Sequence, residues 1–108
     1  MTVAELAKAL EFELLNAGDG DRKVTGGYCG DLLSWVMGRA KPGDTWITIM
    51  SNVNVAAVAA LADVACVILA EGVEPDDALK AKFAIMDAAV YRSALGAFEL
   101  AGKINGLL

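Results

Sequence analysis

Residues 65–70 read ACVILA, six apolar side chains with no charge among them. The run is bounded by Asp63 on one side and by Glu71-Gly72 on the other. A stretch of this length and character is what a strand buried on both faces of a parallel sheet requires. Such a strand needs neighbouring strands at its sides and helices over both faces. Residues 45–50 (TWITIM) supply one neighbour through their β-branched and aromatic content. Between the two lie a polar turn at Ser51-Asn52 and a helix over residues 53–61. Strand, helix and strand at this spacing are the βαβ unit.

The same grammar extends to both ends. Thr2 and Glu5 have the spacing of a capping box, which starts a first helix with Val3, Leu6 and Leu10 on one stripe. Residues 12–15 read as a short strand, and residues 16–20, rich in Gly and Asp, as a turn. Gly26, Gly27 and Gly30 fall within five residues, so residues 21–31 are expected to form an irregular loop that lets the backbone approach another group closely. Asp31 can cap a helix running to Met37, with Gly38 as a left-handed terminator. After Glu71-Gly72, Pro75 suits the first turn of a helix, and Asp76 and Asp77 complement its positive end. That helix has Leu79, Phe83 and Met86 as its buried stripe. Residues 88–91 form another short strand. Ser93 caps a last helix with Leu95, Phe98, Ala101 and Ile104 inward and a Glu99–Lys103 pair on its surface. The expectation is an α/β fold in a single domain over residues 1–108: a central, mostly parallel sheet of about four to five strands with alternating helices.

Composition removes several function classes. At 56% hydrophobic residues the chain is not disordered. Fourteen acidic against nine basic residues give a net charge of −5 with no basic cluster, which argues against nucleic acid as a partner. There is no histidine, so imidazole chemistry is excluded. Cys29 and Cys66 are too few for a disulfide framework and cannot complete a zinc site from one chain, and neither a metal nor another cofactor is expected. The uncharged run 45–62 approaches the length of a membrane span, but Thr45, Thr48, Ser51, Asn52 and Asn54 interrupt it. No membrane association and a cytoplasmic location with reduced thiols are expected. Asp76 and Asp77, adjacent on a helix, point to different faces, and no other carboxylate pair or nucleophile–base set has catalytic spacing. The chain is not expected to be an enzyme.

Ligands of open α/β sheets bind beyond the carboxyl ends of the strands. There Ser51, Asn52 and Asn54 follow one strand and Ser93 another, each leading into a helix whose first N–H groups suit an anion. Ordinary helix capping uses the same residue types. Thr25, Gly26 and Gly27 can cradle a phosphate with backbone amides while Arg22 neutralises charge, or can simply form a tight turn. Neither the Walker spacing nor the dinucleotide fingerprint is present. The 53–62 helix, VNVAAVAALA, has Asn54 as its one polar residue. A helix apolar all round is buried all round. A two-fold homodimer that shares this face or its neighbours is the economical answer, and enclosure between the sheet and the terminal helices of its own chain is the alternative.

Several segments taken together resemble the DRTGG domain family: Asp21-Arg22 with Thr25-Gly26-Gly27, Gly30-Asp31-Leu32-Leu33-Ser34, Gly43-Asp44-Thr45-Trp46-Ile47-Thr48-Ile49, Asn54-Val55, and Ser93-Ala94 with Ala97-Phe98-Glu99-Leu100-Ala101-Gly102. Lys23 and Val24 separate the two parts of the motif that gives the family its name. The resemblance implies an α/β module that is regulatory and dimerising. Relatives accompany cystathionine-beta-synthase-type domains in some inorganic pyrophosphatases regulated by adenine nucleotides, and others precede phosphotransacetylase domains. Some members accompany iron-only hydrogenase and redox-complex genes, which implies a redox-enzyme partner such as a hydrogenase complex as a second expectation. The resulting expectation is a homodimeric, ligand-sensing module that binds a nucleotide or another phosphate compound through Arg22, Thr25, Gly26, Gly27, Ser51, Asn52, Asn54 and Ser93. The alternative is a structural adaptor docked on a redox enzyme.

Overall fold

The structure is a computed structural model that describes all residues, 1–108. Five strands form one sheet in the order β1-β5-β4-β3-β2. They are β1 (Glu13–Asn16), β2 (Gly26–Cys29), β3 (Asp44–Thr48), β4 (Cys66–Leu69) and β5 (Val90–Arg92). β2, β3, β4 and β5 are mutually parallel, and β1 lies antiparallel to β5 at one edge. The helices are α1 (Val3–Ala9), α2 (Leu33–Arg39), α3 (Asn54–Ala62), α4 (Asp77–Met86) and α5 (Ala97–Leu107). The fold is therefore α/β, with a mostly parallel five-stranded sheet.

The alternation of side chains along each strand sorts the core into two layers. Trp46, Val67, Leu69 and Val90 face α2, α3 and α4, where Val36, Val55, Ala59, Leu79 and Phe83 meet them. Ile47, Cys66, Ile68 and Tyr91 face α1 and α5, where Val3, Leu6, Leu100 and Ile104 close the second layer. The ACVILA run is buried throughout, as its composition requires. Helix α3 lies against the sheet between α2 and α4, which buries Val55, Ala56, Val58, Ala59 and Ala62. Enclosure within the chain, and not the expected sharing of this helix between two copies, thus accounts for most of its apolar surface; Ala60 and Leu61, the latter 71% exposed, are the exceptions.

Several local expectations are corrected. Gly26 and Gly27 are not in an irregular loop but in strand β2, because β3 offers four in-register partners from Asp44 to Ile47. A Cβ at Gly26 would lie 2.8 Å from Asp44 Oδ1, so a side chain there would require the Asp44 carboxylate to shift. Asp31 does not cap α2. Its carboxylate accepts from the Thr48 hydroxyl (2.8 Å) and the Ile49 N–H (2.9 Å), tying the β2 exit to the end of β3. Gly38 does not terminate α2, which continues to Arg39. Ser93 does not cap α5. Its hydroxyl accepts from the Leu95 N–H, and Gly96 is the N-cap. That offset turns Leu100, not Phe98, inward and leaves Phe98 96% exposed. Met86, at the last position of α4, is partly exposed instead of buried. The Asp76 cap and the Thr2–Glu5 capping box form as expected.

Candidate functional site

The expected site residues divide between opposite ends of the sheet. Arg22, Thr25, Gly26 and Gly27 lie at or near the amino ends of the parallel strands, whereas Ser51, Asn52, Asn54 and Ser93 lie at the carboxyl ends. They do not gather into one hollow. The connections explain why. β2, β3, β4 and β5 follow one another across the sheet, and α2, α3 and α4 all cover the same face.

At the amino end the polar groups satisfy one another. The Arg22 guanidinium donates to the Asp63 carboxylate (2.7 Å) and to the backbone carbonyls of Asp63 (2.8 Å) and Val64 (3.4 Å). Asp63 holds the left-handed conformation (φ 57°) that ends α3, so Arg22 braces the turn from helix to β4. This contact holds the Asp63 carboxyl below its ordinary range. The Thr25 N–H donates to the Gly43 carbonyl, and the buried Asp44 carboxylate accepts from the Lys41 N–H (2.8 Å). Here Arg22 and Thr25 serve the fold. The glycines do leave an opening on the opposite face: Gly27, Cys29, Thr45 and Ile47 form one wall of a 250 Å³ cleft under the end of α5. Burial, then the nearby Asp31 carboxylate, raise the Cys29 thiol pKa, which opposes a thiolate at neutral pH. The Cys66 thiol, buried beneath, is pushed up to about 11.

At the carboxyl end Asn52 Oδ1 accepts from the Asn54 N–H, an Asx turn that leads into α3. No cavity wall includes Ser51, Asn52 or Asn54. The ligand crevice of an open α/β sheet lies where neighbouring strands send their connections to opposite faces. Here that place is between β4, which leads to α4, and β5, which leads to α5 on the other face. The two connections are strapped together, the Glu71 N–H to the Leu95 carbonyl and the Gly72 N–H to the Ser93 carbonyl, each 2.8 Å. Beside the strap opens the largest cavity, about 500 Å³, with Gly72, Arg92, Ser93 and Lys103 in its walls together with Glu11 and Glu13.

Arg92 enters the cavity from the end of β5 and is paired with Glu13 and Glu74. The hydrogen bond from Arg92 keeps the Glu74 carboxyl below its ordinary range, and the same contact raises the guanidinium. Lys103 takes part in none of the three ion pairs, so the expected Glu99–Lys103 pair is not formed. Glu71 occupies the positive end of α5: a Cβ on Gly96, the α5 N-cap, would lie 3.7 Å from its Oε1. The positive charge at this cavity therefore comes from side-chain cations and not from that helix end. Of the residues expected from sequence, Ser93 is the one in this wall. Sequence reasoning does not single out Arg92 or Lys103, although an arginine at the carboxyl end of a strand in an acidic protein is a usable signal. No group of three or more Cys, Asp or Glu side chains is placed to hold a metal ion, and no helix is long and apolar enough to cross a membrane.

The architecture is that of a small α/β domain with a mostly parallel sheet. The chain is similar in structure to the CBS and DRTGG domains of the regulatory region of Clostridium perfringens pyrophosphatase, a crystal structure complexed with the activator diadenosine tetraphosphate. The superposition has a TM-score of 0.68 at 14% sequence identity. It covers 94% of this chain and 44% of the pyrophosphatase chain, so this chain spans less than half of its neighbour's length. At that identity the likeness establishes the fold. No family model and no curated protein sequence matches the chain.

Proposed function

We propose that the protein is a non-catalytic, homodimeric regulatory module of the DRTGG type, and that it takes a small anionic ligand in the cavity at the end of β5. One observation carries this reading: Arg92, Ser93 and the unpaired Lys103 face a common 500 Å³ space at the divergence of the β4 and β5 connections. A phosphate there gains bidentate contact with the guanidinium, the ammonium charge and a hydroxyl donor. It competes with Glu13 and Glu74 for Arg92. Those carboxylate side chains are 55% and 70% exposed, and exposed ion pairs are weak, so displacing them costs little. The nucleotide activator of the structural neighbour supports a phosphate-bearing ligand class. Exchange of a carboxylate for a ligand phosphate on Arg92 would release Glu74 and the segment before α4, which is a means of signalling occupancy.

Thermal unfolding with inorganic phosphate, AMP or ATP at millimolar concentration tests the reading. Binding to the native state raises the midpoint. The wild type is expected to shift upward, and Arg92→Ala and Lys103→Ala are expected to lose the shift. No stabilisation by any of these compounds overturns the sensing role. The adaptor reading then takes its place, supported by Leu32, Ile49 and Val53, which are 59%, 44% and 40% exposed at the carboxyl end of the sheet. Asp31 holds Ile49 next to Leu32. Co-purification with a redox enzyme that is lost on Leu32→Glu supports that alternative.

A further inference from the structure

We infer that the outer edge of β2 pairs with the same edge of a second copy of the chain, antiparallel about Tyr28, to join two sheets into one. This rests on the homodimer reading and gives it a surface. The Gly30 N–H donates to the Ile47 carbonyl at 3.1 Å. Alternate residues of a strand address one neighbour, so Gly26, Tyr28 and Gly30 face β3, while Gly27 and Cys29 direct their N–H and C=O groups away from the sheet. These two residues flank Tyr28 symmetrically. A two-fold axis through Tyr28 sets Gly27 opposite Cys29 of the partner subunit, and both pairs then exchange N–H and C=O bonds. The same register sets Gly26 opposite Gly30 of the partner subunit, where no side chain obstructs the approach. The arrangement is self-complementary, as an isologous contact must be.

The opposite edge of the sheet shows what a protected strand looks like here. β1 carries the charged Glu13, and its register is broken by a bulge between Leu14 and Asn16. Charge and bulges are the usual defences of an exposed edge. β2 reads GGYC and pairs with β3 in unbroken register, so it has neither defence. Five residue pairs are too few for a stable dimer, which buries about 1,200–2,000 Å². The flanking helices supply the rest. α2, the outermost helix on one face, leaves Trp35 and Met37 52% and 44% exposed on opposite sides of the helix, so one of the two borders the edge, and α5, packed over β2 on the other face, ends in Leu107 and Leu108 at 40% and 47%. A second copy fits this surface because the unpaired groups match themselves and the apolar flanks lie on both sides of the edge.

Light scattering after gel filtration reads the mass. The wild type is expected to be a dimer at micromolar concentration. In Gly27→Pro the lost N–H is the outward one, so the β3 ladder stays intact and proline is tolerated at an edge. The variant is expected to keep the wild-type far-ultraviolet circular dichroism while its dimer dissociates at least about 100-fold more readily. Tyr28→Cys in a Cys29→Ser background is expected to form a disulfide-linked dimer in oxidised glutathione. Directly opposed residues of a non-hydrogen-bonded pair have Cα atoms about 4.5 Å apart, within disulfide range. Leu14→Cys on β1, also in Cys29→Ser, is expected to stay unlinked under the same oxidant. A monomeric wild type overturns both the surface and the homodimer reading. A dimer that survives Gly27→Pro, or one in which Tyr28→Cys stays unlinked, overturns the surface alone. If Gly27→Pro fails to fold, the cross-link decides.

Discussion

The amino and carboxyl ends of this sheet are both rich in polar side chains, but those side chains do different work. At the amino end Arg22 is bound to one carboxylate and two carbonyls that belong to a single helix terminus. Asn16 donates to the Phe83 and Ala88 carbonyls (3.3 and 2.6 Å), and Asp44 holds the turn before its own strand. Every one of these contacts fixes the backbone where a helix turns into a strand. At the carboxyl end Arg92 is held by two exposed glutamates, Lys103 is unpaired, and an open cavity lies between them. Polar groups that satisfy each other build structure. Polar groups held loosely around empty space remain available to a ligand.

Glycine replacement separates the two ends most sharply. Gly18 has φ 52°, and a Cβ there would lie 2.3 Å from the Ala89 nitrogen and 2.6 Å from its Cα. The obstacle is backbone, which cannot turn aside. Gly18→Ala is therefore expected to destabilise by about 3 kcal/mol or more in urea unfolding. Gly72, at the carboxyl end, also has positive φ (69°), but a Cβ there would meet nothing within 4 Å. Gly72→Ala carries only the left-handed penalty, about 1 kcal/mol. Equal losses at the two positions would remove the distinction.

Arginine replacement is the next test. Arg22→Ala removes the brace on the Asp63 turn and is expected to lower the melting midpoint while leaving the shift produced by phosphate or ATP unchanged. Lys103→Ala is expected to do the reverse, with stability within about 0.5 kcal/mol of wild type and the ligand shift lost. A ligand shift that depends on Arg22 instead would move the site to the amino end.

The same contrast shows how much could be read without coordinates. The buried run at residues 65–70 and the strand at 45–50 define the centre of the sheet, because apolar content and β-branching act there without competition. β2 is obscured by its two glycines, which have no strand preference of their own and are recruited by pairing with β3. The inward face of α5 is misread because Phe98 is large and apolar yet fully outside, while Gly96, not Ser93, starts the helix. The candidate site is legible in its general location, the carboxyl end of the strands, but not in its membership. Convergence of Thr25 with Ser51 requires loops from opposite ends of the strands to meet, and the parallel register forbids that. Arg92 becomes visible as a site residue once β1 is known to lie beside β5 and to bring Glu13 against it.

The smallest effect expected is on pH dependence, and it discriminates between the ends only when ligand is present. Asp63 and Glu74 both have folded-state pKa values below their ordinary ones, each through a hydrogen bond from an arginine. A depressed carboxyl stabilises the native state above its unfolded pKa, near 4, and that contribution is lost as pH falls through the folded value. Asp63→Asn and Glu74→Gln are each expected to flatten the acid limb of stability below about pH 4. Both carboxylates are exposed, so the effect is modest and salt screens it. At neutral pH with phosphate the two variants part. Removing the Glu74 charge leaves Arg92 with one carboxylate competitor instead of two, so Glu74→Gln is expected to bind phosphate more tightly than wild type in a calorimetric titration. Asp63→Asn, far from that cavity, is expected to bind as wild type does. Identical phosphate affinity in both variants would mean that Arg92 does not receive the anion, and the division of labour between the two ends would have to be drawn elsewhere.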